Sequence, residues 1–375
     1  MRNPDLTFWS LIGFILVLLP ASWHLRARNV ATLSLIFWLS LANAVMFVNT
    51  LIWSGNFRNT SPIWCDISSH VYTAVNYAIV ACSLSQMRRL ESVASTKRAV
   101  ITARERTSRL WQEGLLCIVF PVVMLPVIYL VQGHRYNIVE SLGPSPVPVF
   151  LSWPGILVFY VTPVVIGLAA LVYAALAIRW FLIRRLQFRS ILASADSNLT
   201  VARFFRLIAL AITDITVITV EIALQLGLAL STPNSFRKYT SFRDVHTDFG
   251  LISQFPAETL TWKPHTGFVV AFYTCPIYSI IFFAFFGLGD EALNDYIRVT
   301  RKAIGFVLPS AWGSRPLPGK NHNVLPTLGS KVISVDLASI PTEHELARGP
   351  DTGEAIVELQ TGRSRIPVQV ERFVV

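Results

Sequence analysis

Two carboxylates stand inside an otherwise apolar run: Asp214 and Glu221, seven residues apart within 204–230. On a helix, seven residues are two turns, so both fall on one face, and Gln225 continues that stripe. An ionisable group in an apolar span is costly to bury and is a default candidate for a working site. Two readings fit. One is a water-filled cavity or switching contact inside a helix bundle; the other is interhelical hydrogen-bond glue at about 0.6–2 kcal/mol per contact. Asn43, Asn49 and Asn76 lie in neighbouring apolar runs and suit glue. No nucleophile motif, Walker loop or HExxH occurs, so the chain is not expected to be an enzyme. Four cysteines without CxxC or Cys/His ligand spacing exclude a disulfide scaffold and argue against zinc, and no cofactor is expected.

These groups need a membrane bundle to position them. Of 375 residues, 53% are hydrophobic and 14% charged, and mean hydropathy is +0.52. A soluble domain carries roughly 25% charged residues. Seven segments approach the ~20 apolar residues that cross the hydrocarbon: about 6–22, 30–53, 65–87, 110–131, 149–181, 204–230 and 267–288. The expected fold is therefore an all-α membrane protein, a seven-transmembrane helix bundle over 1–288. Residues 289–305 suggest a short amphipathic juxtamembrane helix, and 306–375 a disordered tail.

Charge sets the orientation. The loops 23–29, 88–109 and 182–203 with adjoining span ends hold fifteen Lys and Arg, whereas the opposite side holds seven. Positive loops face the cytosol, which places the N-terminus outside and the C-terminus inside. Cleavage of the first span as a signal peptide would put all three basic loops outside, against that count. The net charge of +10 is thus mainly a topology signal, and no nucleic-acid partner is expected. Pro121, Pro126, Pro163 and Pro276 fall within spans, as hinges or as static bundle geometry. The sequon Asn59-Thr60-Ser61 lies in a short outer loop and is expected to stay unmodified; Asn198-Leu199-Thr200 falls on the cytosolic side.

Several blocks of residues carry a resemblance. Leu19-Pro20, Trp23-His24 and Arg28-Asn29 open it, followed by Trp38, Asn43, Asn49, Trp53, Trp64-Cys65-Asp66-Ile67-Ser68, Asn76 and Arg88-Arg89-Leu90. It continues through Gln132-Gly133-His134-Arg135-Tyr136-Asn137, Arg203-Phe204-Phe205-Arg206-Leu207, Asp244-Val245-His246-Thr247-Asp248-Phe249 and the Phe-rich end of span seven. Over roughly 19–295 the chain resembles fungal mating-pheromone receptors of the lipopeptide-binding (a-factor) type, nearest their basidiomycete branch. Rhodopsin-type markers are absent: span three ends Ser85-Gln86-Met87-Arg88-Arg89, and span seven has no Asn-Pro-x-x-Tyr.

The resemblance implies a plasma-membrane G-protein-coupled receptor. It would be activated by a secreted farnesylated peptide and signal through a heterotrimeric G protein to a mating kinase cascade, with homodimers associated with the class. Candidate ligand contacts are Ser69, Thr73 and Asn76 on span three, His134 and Tyr136 in outer loop two, and Asp244, His246 and Asp248 in outer loop three. Asp214, Glu221 and Gln225 are the candidate intramembrane switch. Arg88, Arg89, Arg184, Arg185, Arg189, Arg203 and Arg206 ring the inner mouth as candidate contacts for Gα, and positive-inside charge or anionic membrane lipid also accounts for them. Pro144 stands where many relatives carry a cysteine, so Cys65 has no external partner and no disulfide is expected; Glu221 adjoins the position where relatives often place a proline. Two alternatives remain open: a pheromone-receptor-like orphan without a mating role, and a transporter or channel using Asp214 and Glu221.

Overall fold

The computed structural model describes residues 4–95, 102–183, 201–231, 236–256 and 262–288, together with two strands near the C-terminus. The chain divides into two units, 1–311 and 312–375. In the first, helix α1 (Pro4–Leu18) stops just before Pro20 and is followed by short α2 (Ala21–Arg26). Asn29 then caps α3 (Val30–Ile52), its side chain accepting the Thr32 N–H. Helix α4 (Pro62–Ser95) is the longest, at 34 residues.

A reciprocal capping box, Thr102 with Glu105, starts α5 (Ala103–Gly114), which runs through a π turn at Leu115–Val119 into α6 (Phe120–Tyr129). A second rod joins α7 (Trp153–Gly155) through a π segment at Ile156–Val161 to α8 (Thr162–Ile183). Helices α9 (Val201–Leu230), α10 (Phe242–Val245) and α11 (Trp262–Phe286) complete the bundle. Helix α4 is central, lying against α3, α6, α8 and α9, while α11 closes the ring against α1 and α9.

Five of these helices are long and apolar enough to cross a membrane: Val30–Ile52, Arg104–Tyr129, Trp153–Ile183, Phe204–Leu230 and Gly267–Phe286. Helix α1 is apolar but has 15 residues. Helix α4 has the length, but Asp66, His70, Asn76, Gln86, Arg88 and Arg89 and its serines dilute its apolar character. The bundle is also not purely α-helical. Strand β1 (Tyr136–Val139) pairs antiparallel with β2 (Gly143–Pro144) and parallel with β3 (Ile252–Phe255), joining the two loops at one end. The all-α expectation is corrected here, because a parallel pair between separate loops leaves no local sequence pattern.

In the second unit, β4 (Ala355–Thr361) and β5 (Ser364–Val370) form an antiparallel hairpin. The proposed juxtamembrane helix, 289–305, lies outside the described residues.

The prolines explain two cross-helix bonds. Pro121 has no N–H for the carbonyl of Cys117 four residues back; the Trp38 indole on α3 donates to that oxygen at 2.9 Å. Pro163 likewise withholds an N–H from Val158, five residues back in the π spacing. The Tyr77 hydroxyl of α4 donates there at 2.8 Å. Leaving a buried carbonyl unpaired costs about 1–3 kcal/mol. Trp38→Phe and Tyr77→Phe, which keep most of the packing, should each lower the midpoint of thermal unfolding of purified protein by a few degrees, in line with that penalty.

A third close approach sits where α1, α3 and α11 meet. Asn43 Nδ2 donates to the Leu39 carbonyl at 2.7 Å and to Ser279 Oγ at 2.8 Å, and a Cβ at Gly13 would lie 2.7 Å from Asn43 Oδ1.

Candidate functional site

The polar stripe of α9 is answered by two neighbouring helices. Ser83 on α4 donates to Asp214 Oδ2 at 3.0 Å, and the Tyr278 hydroxyl on α11 donates to the Asp214 carbonyl at 2.6 Å. Glu221, 8% exposed, meets Thr274 of α11, while its Oε2 has no hydrogen-bond partner among the described residues. Gln225 Nε2 donates to the Gly267 carbonyl at 2.7 Å. The stripe therefore joins α9 to α4 at one level and to α11 at three. Buried carboxylates with so few donors are sensitive to any change in helix spacing.

At the end bearing the sheet, Asn49 is the hub. Its Nδ2 donates to the Tyr72 hydroxyl at 3.0 Å, and its Oδ1 accepts from the Trp64 indole at 2.6 Å and from Ser68 at 3.4 Å. Gly143 (φ +88°) lies over this hub: a Cβ there would stand 3.0 Å from the Cβ of Asn49 and from the Trp53 ring. Only glycine readily takes that φ while allowing so close an approach.

Beside the hub, Arg135 grips Asp66 with Nε at 2.9 and 3.1 Å and Nη2 at 2.5 Å, and its guanidinium lies 5.4 Å from the Tyr136 ring centroid. The hydrogen bond to Asp66 holds the Arg135 pKa above its usual value. Burial pushes the Tyr136 phenol up to about 12, so it stays a donor, and it donates to Asn59 Oδ1 at 3.1 Å.

The candidate ligand contacts divide by depth. Ser69 and Thr73 are buried; Thr73 Oγ1 donates to the Ser69 carbonyl at 2.8 Å and accepts the Val147 N–H at 3.0 Å. Loop two thus lies directly on Thr73, which in turn bonds Ser69. Asn76, one turn deeper, is half-buried. Tyr136 is buried against Cys65, whose thiol is free. His134 is half-buried, with Nε2 2.5 Å from Asn137 Oδ1. Asp244 and Asp248 are exposed, and Asp244 accepts from Thr240 at 2.6 Å. His246 is half-buried in an aromatic cluster with Tyr129, Phe242 and Phe249.

At the opposite end the arginines are not equivalent. Arg88 is exposed and Arg206 half-exposed. Arg89 is engaged, at 3.7 Å from Glu113 and 3.3 Å from Asn29 Oδ1, so it ties α4 to α5 and to the cap of α3. Arg184, Arg185 and Arg189 and the side chain of Arg203 lie outside the described residues. Sequence reasoning missed Glu113, whose signal was a carboxylate next to the start of an apolar run. It also missed the Asp66–Arg135 pair, which only the loop fold brings together.

A bundle of apolar helices with a polar buried stripe and a folded loop cap defines a polytopic helical membrane protein. Residues 6–305 match the model of the STE3 (Pheromone A receptor) family, and the chain belongs to that family. It is 37% identical over 297 residues to the Pheromone B beta 1 receptor of Schizophyllum commune, covering 79% of this chain and 54% of that protein. Pheromone receptor 1 of Mycosarcoma maydis is 33% identical over 305 residues, 80% of this chain and 84% of the relative. The Pheromone a factor receptor of Saccharomyces cerevisiae is 24% identical over 304 residues, 80% and 62% respectively. The chain spans about half the length of the Schizophyllum receptors it matches.

Proposed function

We propose that the chain is a mating-pheromone receptor of the plasma membrane, a seven-span G-protein-coupled receptor with its N-terminus outside. The observation that carries this is the family match across the whole helical unit, 6–305. Helices α1 and α4 supply the two spans beyond the five apolar ones, and the basic loops at the α2 and α4–α5 end give the orientation. The ligand is a farnesylated peptide. Its prenyl group gains ~25 cal/mol for each Å² of apolar surface taken from water, so it enters the bilayer first and presents the peptide at the cap. Polar groups of loops two and three, His134, Asp244 and Asp248 among them, are its nearest partners, and Ser69, Thr73 and Asn76 lie beneath them.

Binding must favour one helix arrangement over another, and the α9 stripe is the element whose contacts distinguish arrangements. On the cytosolic side Arg88, Arg184, Arg185, Arg189, Arg203 and Arg206 meet a Gα subunit or anionic lipid. Arg89, held by Glu113, acts through helix position instead. Homodimerisation through lipid-facing helices is compatible with this reading.

The test is a signalling reporter in yeast lacking its own receptor, challenged with farnesylated and unfarnesylated peptides. A response confined to prenylated peptides is expected; silence across a panel of basidiomycete lipopeptides, with receptor at the surface, would overturn the reading. In the same strain Arg184→Glu with Arg185→Glu should abolish the response without reducing surface receptor, and unchanged signalling would remove the Gα role from those positions.

A further inference from the structure

His246 follows α10 and sits against the end of α6. Its Nδ1 lies 2.8 Å from the Phe242 carbonyl oxygen and its Nε2 2.9 Å from the Tyr129 carbonyl oxygen. A carbonyl only accepts, so both ring nitrogens must donate. Both carbonyls also accept a backbone N–H, from His246 at 3.2 Å and from Gln132 at 3.3 Å; neutral imidazole adds one ring N–H to one of them, and the imidazolium adds one to each. The surroundings suit a cation. Ring centroids of Phe242, Tyr129 and Phe249 lie 4.0, 4.9 and 5.1 Å from the imidazole, and aromatic faces attract positive charge.

We propose that His246 is a proton-dependent clasp that fastens outer loop three to the end of α6, closed when the ring is doubly protonated and loosened when it is neutral. Among the described residues, the titratable and charged groups around it are few. Tyr129 faces it from α6; Asp244, Asp248 and Arg243 share its loop, and the Asp244 carboxylate is occupied by Thr240. Arg135 of loop two donates its backbone N–H to the Phe249 carbonyl at 3.0 Å, which carries the clasp to the strand β1 side of the cap. A second stitch runs alongside, from the Tyr239 hydroxyl to the Leu130 carbonyl at 3.4 Å. Loss of the clasp therefore loosens the loop rather than releasing it. Acid supplies the second ring proton and closes the clasp, and alkali removes it and opens the clasp.

A test without ligand or G protein keeps this inference separate from the receptor reading. Full-length protein in lipid nanodiscs is followed by amide hydrogen exchange at pH 5 and pH 8, corrected for the pH dependence of chemical exchange. Amides of residues 245–249 should be about tenfold better protected at pH 5, the size of one lost charge-assisted hydrogen bond, with amides of α4 unchanged. His246→Gln should show the lower protection at both pH values. Equal protection of the wild-type loop at the two pH values, or a pH response that survives in His246→Gln, would overturn the clasp.

Discussion

Asn49→Ala is expected to be the most damaging single substitution at the sheet-bearing end of the bundle. It strands the Trp64 indole N–H, the Tyr72 hydroxyl and the Ser68 hydroxyl together and opens a gap beneath Gly143. At about 1–3 kcal/mol for each buried group left unpaired, a loss of roughly 3 kcal/mol or more is expected. The receptor should then reach the cell surface in much reduced amount, and purified protein should unfold well below wild type. Asn49→Asp keeps the oxygen that accepts from Trp64 and Ser68 but loses the donor to Tyr72, and should fall between the two. Thermal unfolding of all three proteins checks the order, and wild-type stability in Asn49→Ala would show that α3, α4 and the loop cap do not depend on this hub.

The second large effect is on ligand response. Arg135→Ala removes a three-contact grip on Asp66, along with the cation that stacks on Tyr136. Both side chains are about a third exposed, so solvent screening limits the pair to about 1 kcal/mol of stability. The folded fraction should change little. The geometry of loop two depends on the pair far more than the overall stability does, because Arg135 directly precedes β1. On the proposed receptor reading, the concentration of pheromone giving half-maximal reporter signal should rise about tenfold or more, as expected when a preorganised site loses its order. Asp66→Arg with Arg135→Asp restores the attraction in reverse and should recover part of that loss. A swap no better than either single change would mean that orientation, rather than charge pairing, matters at this position.

Much of the bundle was legible in the sequence because apolar length is a local property. The runs at 30–53, 204–230 and 267–288 matched their helices closely, and the spacing of Asp214, Glu221 and Gln225 placed all three on contacts with neighbouring helices. Helix α4 extended beyond its predicted 65–87 on both sides, since polar residues do not stop a helix once packing holds it. The cap was not legible. The β1–β3 register joins Tyr136 to Ile252 across 116 positions of chain, and nothing in either tetrapeptide announces the other. The arginines looked alike as a list, yet Arg89 is committed to Glu113 and Arg88 is not. That difference depends on which way each side of α4 faces.

The carbonyls released by Pro121 and Pro163 bear on how such a chain is free to vary. Trp38 and Pro121 are 83 positions apart, but each makes the other tolerable. Without the proline, the backbone would regain its own donor and the indole would become one of two claimants for a single oxygen. Without the indole, the proline would leave that oxygen bare. Tyr77 and Pro163 stand in the same relation. Exchange of either member alone should therefore cost stability, and exchange of both together should cost less than the sum. Each couple forms one structural unit that neither residue's immediate neighbours would reveal.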